Sequence, residues 1–265
     1  MKSIKVQCPA KINLSLKVTG KRDDGFHNIE SVMQTISLYD YLSISVIESD
    51  RTIISLSGNS DEIPYDERNL VYKAAKMFLE ENVKTPQKVE IYIEKNIPIS
   101  AGLAGGSTDA AGTLYGLNKL YNDNLSDTEL HEMASRLGSD LNVCLKGGCL
   151  MCTGRGEKIS QSPYNECNVS LIKPINLGIS AKEAYTKFSE KHEISDEKRS
   201  DFVNDLEWAV IDDYEPLRYI KEKYPSAIMT GSGSTYFSLV ENFEAEKDYW
   251  VRNNILTITE GVKHI

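Results

Sequence analysis

The stretch Ile97–Ser107 reads IPISAGLAGGS, and TDAAGTLYGLNKLYN continues it from Thr108 to Asn122. Upstream, Val89, Ile91 and Ile93 alternate with polar or charged partners, which predicts a strand over Gln87–Asn96. Downstream, Ala110, Leu114, Leu117 and Tyr121 recur at helical spacing. The glycines therefore join a strand to a helix. Gly102, Gly105 and Gly106 leave backbone amides uncovered, and Ser107 and Thr108 stand where the helix begins. A helix start offers free N–H groups and the positive end of a dipole, so it attracts phosphate. A flexible connection with a serine cap would explain a bare glycine loop equally well. Eleven residues in this strand–loop–helix setting favour phosphate binding. GxxxxGK[ST] is absent, so this is not a Walker loop. No lysine follows the glycines, and the cation must come from elsewhere in the chain or from a metal.

Lys11 is the candidate cation. From Ile4 to Val18 the chain alternates: Val6, Cys8, Ala10, Ile12, Leu14 and Leu16 share one face, and Lys11, Asn13 and Lys17 share the other. Period two predicts a half-buried strand, with a bend or bulge at Pro9, which cannot donate to a ladder. Periodicity alone makes Lys11 a solvated surface lysine; a bend after Pro9 could aim it inward. The turn KRDDGFHN, residues 21–28, leads into a second strand over Ile29–Ile47. In that turn Phe26 offers a ring for stacking on a planar base, beside His27.

Asn69–Glu80 reads as a helix with Leu70, Ala74 and Met77 on one stripe. Ser126 with Glu129 forms a capping-box pattern, Gly138 is a helix stop, and Ser139 and Asp140 follow it. Asp140 is the candidate base. A carboxylate at a rigid helix end can take a hydroxyl proton during phosphoryl transfer; a turn aspartate would look the same. Thr230–Ser234, TGSGS, suits either a hairpin turn or a cradle of amides for an anionic substrate. Cys149 and Cys152 form one CxxC near Cys144, with no second pair and no nearby histidine. Buried apolar cysteines are favoured over zinc.

The polar text from Gly154 to Glu166 sets a domain boundary, giving 1–158 and 159–265. The second part alternates strands (168–175; 227–240 interrupted by TGSGS) with helices (181–189; 243–254), a small α+β sandwich. The 265 residues are 40% hydrophobic and 26% charged, an ordinary globular mixture that excludes a wholly disordered or collagen-like chain. No apolar run is long enough to span a bilayer, and the N-terminus lacks a signal-peptide pattern. The net charge of −9 argues against sequence-independent nucleic-acid or membrane binding but permits a local pocket for a phosphorylated small molecule. Five cysteines in apolar stretches suggest a reduced, cytoplasmic chain.

CPAKINLSLKV (8–18), IPISAGLAGGSTDAA (97–111) and MTGSGSTYFSL (229–239) together resemble the three ordered motifs of the GHMP small-molecule kinases, relatives of galactokinase, homoserine kinase and mevalonate kinase. GKRDDGFHNIESVMQTISLYDYLSI (20–44), supported by NLVYKAAKMF, GRGEKI and FVNDLE, is similar to the branch acting on a cytidine-diphosphate-linked polyol. The resemblance covers nearly the whole chain. It implies an α+β two-domain architecture, with a ribosomal protein S5 domain 2-like N-terminal half and a ferredoxin-like C-terminal half. It implies ATP held by Pro98, Ile99, Ser100, Ala101, Gly102, Leu103, Ala104, Gly105, Gly106, Ser107 and Thr108, with Ser107 near Mg²⁺. Lys11 and Asp140 become the catalytic pair. Asn13, Phe26, His27, Tyr185, Gly231, Ser232 and Gly233 become substrate contacts, with His27 reading the cytosine edge and Tyr185 stacking on the ring. The chain departs from the family text at three places. Ala104 and Thr108 replace Gly and Ser of GLGGGSS, and Ala104 requires a negative φ there. GSDLN replaces GADVP around Asp140. Phe26 stands where tyrosine is usual. The implied activity is ATP-dependent phosphorylation of an alcohol, by a monomer or homodimer. The rival readings are a kinase of the same superfamily for another alcohol, a nucleotide-binding regulator without turnover, and a nucleic-acid binder.

Overall fold

The alternation over Ile4–Val18 becomes one long strand in the computed structural model, which describes residues 1–265. In chain order the elements are β1 (Lys2–Lys21), β2 (His27–Glu48), β3 (Ile53–Gly58), α1 (Leu70–Asn82), β4 (Gln87–Glu94), α2 (Gly105–Leu120), α3 (Asp127–Leu137), α4 (Leu141–Lys146), β5 (Cys149–Thr153), β6 (Lys158–Gln161), β7 (Asn168–Pro174), α5 (Ala181–Ile194), α6 (Asp205–Val210), α7 (Glu215–Lys223), β8 (Ile228–Met229), β9 (Tyr236–Ser238), β10 (Tyr249–Leu256) and β11 (Lys263–His264).

β1 and β2 form an antiparallel hairpin whose register slips between Pro9 and Ala10, where proline interrupts the ladder. The first sheet runs β11-β1-β2-β4-β3, and β5 joins the far half of β2 through Ser31–Gln34 and carries β6. The second sheet runs β10-β7-β9-β8. Helices cover these sheets, an α+β architecture. The expected division after residue 158 cuts β6, which still pairs with β5, and β11 returns the chain end to β1.

The hairpin is long enough to serve two cores. Val6, Cys8, Leu42 and Ile44 pack under α1, α2 and α3, with Phe78, Leu114 and Leu117. Leu16, Val18, Ile29 and Met33 pack instead with Phe188, Trp208, Leu217 and Tyr236 of the later chain. Between them Ala10, Ile12 and Ile36 meet Ile97, Ala101 and Leu103 of the glycine loop and Leu171 and Phe237 of the second sheet. Burying each large side chain contributes about 2 kcal/mol, so the strand–loop junction is fixed from both sides.

Two local readings change. The helix expected over 243–254 is an extended segment, β10, because Tyr249–Leu256 pairs with β7. That pairing with a distant edge overrides local spacing. A short helix, α4, follows Asp140, where the sequence indicated only a stop.

Candidate active site

α2 starts at the rim of a cleft of about 1080 Å³. Its first hydrogen bond runs from the Thr108 N–H to the Ala104 carbonyl at 2.9 Å. The N–H groups of Gly105, Gly106 and Ser107 precede that bond. Ala104 at the N-cap has no side chain to cap them, and the first turn holds no acidic residue. The positive end of a 16-residue helix is therefore bare. A Cβ on Gly106 would meet nothing within 4 Å.

Ser100, Gly102 and Ala104 have φ of 50°, 73° and 59°, so alternate residues of the loop are left-handed. The negative φ required of Ala104 is corrected here: its methyl is held in a conformation that costs about 1 kcal/mol. Gly102 has no such latitude. A Cβ there would lie 2.0 Å from the Thr230 carbonyl oxygen, so only glycine lets this loop touch the TGSGS turn.

Lys11 and Asp140 meet. The Lys11 Nζ lies 3.3 Å from Asp140 Oδ2, donates to Asn13 Oδ1 at 2.7 Å and to the Gly102 carbonyl at 3.0 Å. An ammonium has three donors: two are taken by these hydrogen bonds, and Asp140 is the ion-pair partner. Its side chain is 3% exposed, against 28% for Asp140. Asp140 occupies the N-cap position of α4, yet its carboxylate makes no capping bond and turns to Lys11 instead. Asn13 lines the cleft, but its amide is engaged by the protein: Nδ2 donates to Ser31 at 2.8 Å, and the backbone N–H donates to Thr230 Oγ1 at 2.9 Å. It braces Lys11. Asn204, fully buried, donates to the Met229 and Gly231 carbonyls at 2.7 and 2.9 Å and so fixes the TGSGS turn from behind.

Pro98 to Ser107 all line the cleft, as do Phe26, His27, Tyr185, Gly231 and Ser232. Two expected residues do not. Thr108 is fully buried, because its position on α2 faces the core beside Cys144. Gly233 is buried against Met229. The Ser232 hydroxyl donates to the Ile179 carbonyl at 3.2 Å.

At the far end His27 stacks on Tyr185, with centroids 5.1 Å apart, and its Nε2 lies 2.9 Å from the Ser189 hydroxyl. A ring stacked between them requires the two to part. Burial, aided by the nearby Lys21 charge, holds the His27 imidazole below its usual range and hence neutral near pH 7. Burial pushes the Tyr185 phenol up, and the Asp140 and Asp205 charges add to that.

Lys95 is a functional candidate that sequence reading missed. It pairs with Asp40 and, at 2.8 Å, with Asp109, under the glycine loop. A Cβ on Gly105 would meet its Nζ at 2.7 Å. Asp40 also accepts from the Asn96 and Ile97 N–H groups at 2.6 and 2.8 Å, which fixes the root of the loop. Burial pushes the Asp109 carboxyl up to about 7; the Lys95 charge opposes this and the Asp40 charge adds to it. A signal existed: Asp40 shares strand parity with Leu42, Ile44 and Val46, and a carboxylate on an apolar face needs a cation.

The described arrangement holds no cluster of three His, Cys, Asp or Glu side chains suited to a metal. No helix is long and apolar enough to cross a membrane.

Residues 69–148 match the N-terminal domain of GHMP kinases. The 4-diphosphocytidyl-2-C-methyl-D-erythritol kinase of Clostridium beijerinckii is 41% identical over 261 residues, 90% of this chain and 91% of that one. Its namesake in Clostridium tetani is 42% identical over 257 residues, 88% and 90% of the two chains. A crystal structure of 4-(cytidine 5'-diphospho)-2C-methyl-D-erythritol kinase superposes with a TM-score of 0.75 at 27% identity, covering 96% of this chain and 99% of that one. With two uncapped helix starts flanking a lysine–aspartate pair, and relatives of this identity along nearly its whole length, the chain belongs to the 4-diphosphocytidyl-2-C-methyl-D-erythritol kinase family of GHMP kinases.

Proposed function

We propose that this chain transfers the γ-phosphoryl group of ATP to the 2-hydroxyl of 4-diphosphocytidyl-2-C-methyl-D-erythritol, in non-mevalonate isoprenoid precursor biosynthesis. One observation carries the reading. The Lys11–Asp140 pair, 3.3 Å apart, shares a single cleft with the bare start of α2 at one end and with Phe26 and His27 at the other.

ATP, when bound, supplies the phosphoryl group, and a divalent cation on its phosphates neutralises their charge. The site residues fit that nucleotide: free N–H groups on Gly105, Gly106 and Ser107 suit phosphate oxygens. The Ser107 hydroxyl is a single oxygen donor, which suits a Mg²⁺ held mainly by phosphates and water rather than by a protein cage. Asp140 takes the proton of the acceptor hydroxyl as its oxygen bonds to phosphorus. Lys11, held by Asn13 and the Gly102 carbonyl, orients that carboxylate and balances the charge growing on the transferred group. No covalent enzyme intermediate is needed. His27, kept neutral, is suited to read a cytosine edge.

Asp140→Asn should cut ADP release at saturating substrates by roughly 10²-fold or more, while ATP binding persists. Turnover close to that of the unaltered chain removes Asp140 from its role. A panel of acceptors that includes a sugar and homoserine tests the alcohol. Preference for either of those over the cytidine diphosphate ester overturns the acceptor, and ATP binding with no ADP from any acceptor overturns the kinase reading.

A further inference from the structure

We propose that Arg155 holds the diphosphate of the acceptor, midway between the aromatic end of the cleft and Asp140. The proposal rests on the acceptor being a cytidine diphosphate ester, as argued above.

The cations around the cleft are Lys11, Lys21, Lys95, Arg155 and Lys182. Lys11 and Lys95 are taken up by carboxylates. Lys21 and Lys182 are exposed at the mouth, whereas Arg155 is half-buried. The Arg155 side chain forms no ion pair, and Asp24 nearby is held by Arg22 at 2.8 Å. Its one side-chain hydrogen bond is long, 3.4 Å from Nη2 to the Ser135 carbonyl. Most of its five N–H donors are therefore unmatched. The guanidinium lies over the Phe26 ring, 4.9 Å from its centroid. A planar, stacked guanidinium with free donors suits a phosphate better than a hydrated lysine does.

Its location fits the chemistry. Phe26 adjoins His27 at the base end. The turn that carries Arg155 abuts Ser139 at the reacting end, where a Cβ on Gly156 would lie 3.5 Å from the Ser139 Cβ. A nucleoside diphosphate ester stretched between those ends has its phosphates in the middle. In a chain of net charge −9, those phosphates need a local cation.

The turn is rigid. The Arg155 N–H donates to Glu157 Oε2 at 2.6 Å, the Ile29 N–H to the Gly154 carbonyl at 2.8 Å, and the Gly156 N–H to the Thr153 carbonyl at 3.1 Å. Asn142 Nδ2 donates to the Glu157 carbonyl at 2.8 Å and to Ser135 at 2.8 Å. Asn142 stands where the family text has proline, so this departure ties the arginine's turn to the helix that begins at Asp140. Such preorganisation lowers the cost of ordering the site on binding.

The test uses Arg155→Met, which keeps an apolar stem over Phe26, and Arg155→Lys, which keeps the charge without the fork. Calorimetry measures CDP and, as the phosphate-free control, cytidine. Arg155→Met should weaken CDP roughly 10- to 100-fold, leave cytidine and the KM for ATP nearly unchanged, and Arg155→Lys should fall between. CDP affinity in Arg155→Met within threefold of the unaltered chain overturns the proposal while leaving the acceptor reading intact. So does an equal loss of cytidine and CDP, which marks a merely structural arginine. If the unaltered chain binds neither compound, the acceptor reading and this proposal fall together.

Discussion

Replacing Gly102 with alanine should disable the site through the backbone alone. The φ of 73° costs an alanine about 1 kcal/mol. The new Cβ would lie 2.0 Å from the Thr230 carbonyl oxygen and 3.1 Å from the Gly233 nitrogen, where ordinary contact begins at 3.4 Å, so the loop must retreat about 1.4 Å. That movement also withdraws the Gly102 carbonyl, which accepts from Lys11 at 3.0 Å and from the Thr230 hydroxyl at 3.3 Å. Each bond stretched out of reach costs about 1 kcal/mol, more where the donor is charged. The expected loss of stability is about 3 kcal/mol, a fall of roughly 8 °C in Tm for a chain of this size. A displacement of that order beside the reacting atoms should lower kcat about 10²-fold. Gly106→Ala is the contrast. Its Cβ has open space and its φ is not left-handed. Alanine there should raise helix stability by about 0.5 kcal/mol yet crowd the nucleotide phosphates, raising the KM for ATP about tenfold with Tm held or increased. Calorimetry and ADP release under saturating acceptor read both. A Gly102→Ala chain that melts and turns over like the original refutes the loop–turn contact, and an unchanged ATP KM in Gly106→Ala refutes phosphate binding at that helix start.

Two further outcomes follow from the same loop. Ala104→Gly should relieve left-handed strain and stabilise the chain by about 0.5 kcal/mol, after allowing for glycine's greater freedom in the unfolded state; a lower Tm contradicts the strain. The Asp109 carboxyl is raised from 3.8 to about 7 in the folded chain, so its protonated form favours folding. That contribution is complete below about pH 4 and is lost as the pH rises through about 7. The Tm of the original chain relative to Asp109→Asn should therefore fall between pH 4 and 8, and parallel profiles would count against the burial of the Asp109 carboxyl beside Asp40.

Local chemistry made much of the fold legible. The period-two run, Pro9, the Ser126 cap and the Gly138 stop each act within a few residues, and each appears as read. The extended segment at Tyr249–Leu256 was not legible, because its partners come from β7, far back in the chain. Lys95 was hidden for a related reason: as the residue just after a strand it looks solvated, and only the packing of β2 beside β4 brings Asp40 to it. Thr108 shows the converse error. The resemblance implies Thr108 at the end of the ATP loop, but one helical turn into α2 its side chain is buried. The resemblance implies Lys11 and Asp140 as partners; that two separate segments, at Lys11 and Thr230, converge on the Gly102 carbonyl is a property of the two sheets and their shared hairpin.

The helix ends give an independent argument for where the chemistry lies. α1, α3, α5 and α6 begin with side chains that accept from their own first turns: Asn69, Ser126, Ser180 and Asn204. α7 has Pro216 at its start, which removes a donor that would need a partner. Only α2 and α4 lack both devices; the capped α1 and α5 also begin at the cleft, at Asn69 and Ser180, so it is the missing cap and not the location that sets these two starts apart. A cap contributes about 1 kcal/mol, and the backbone itself forgoes it at α4: Asp140 has a suitable side chain, but its φ of −85° and ψ of −9° are helical, whereas Asn69, Ser126, Ser180 and Asn204 are extended. That its carboxylate instead faces a buried ammonium, while the residue before α2 is an alanine under left-handed strain, is hard to reconcile with selection for stability alone. Both starts forgo a local gain at the two places to which the proposed mechanism assigns a phosphate and a transferable proton, and the cores on either side of the hairpin supply the stability that the cleft gives up.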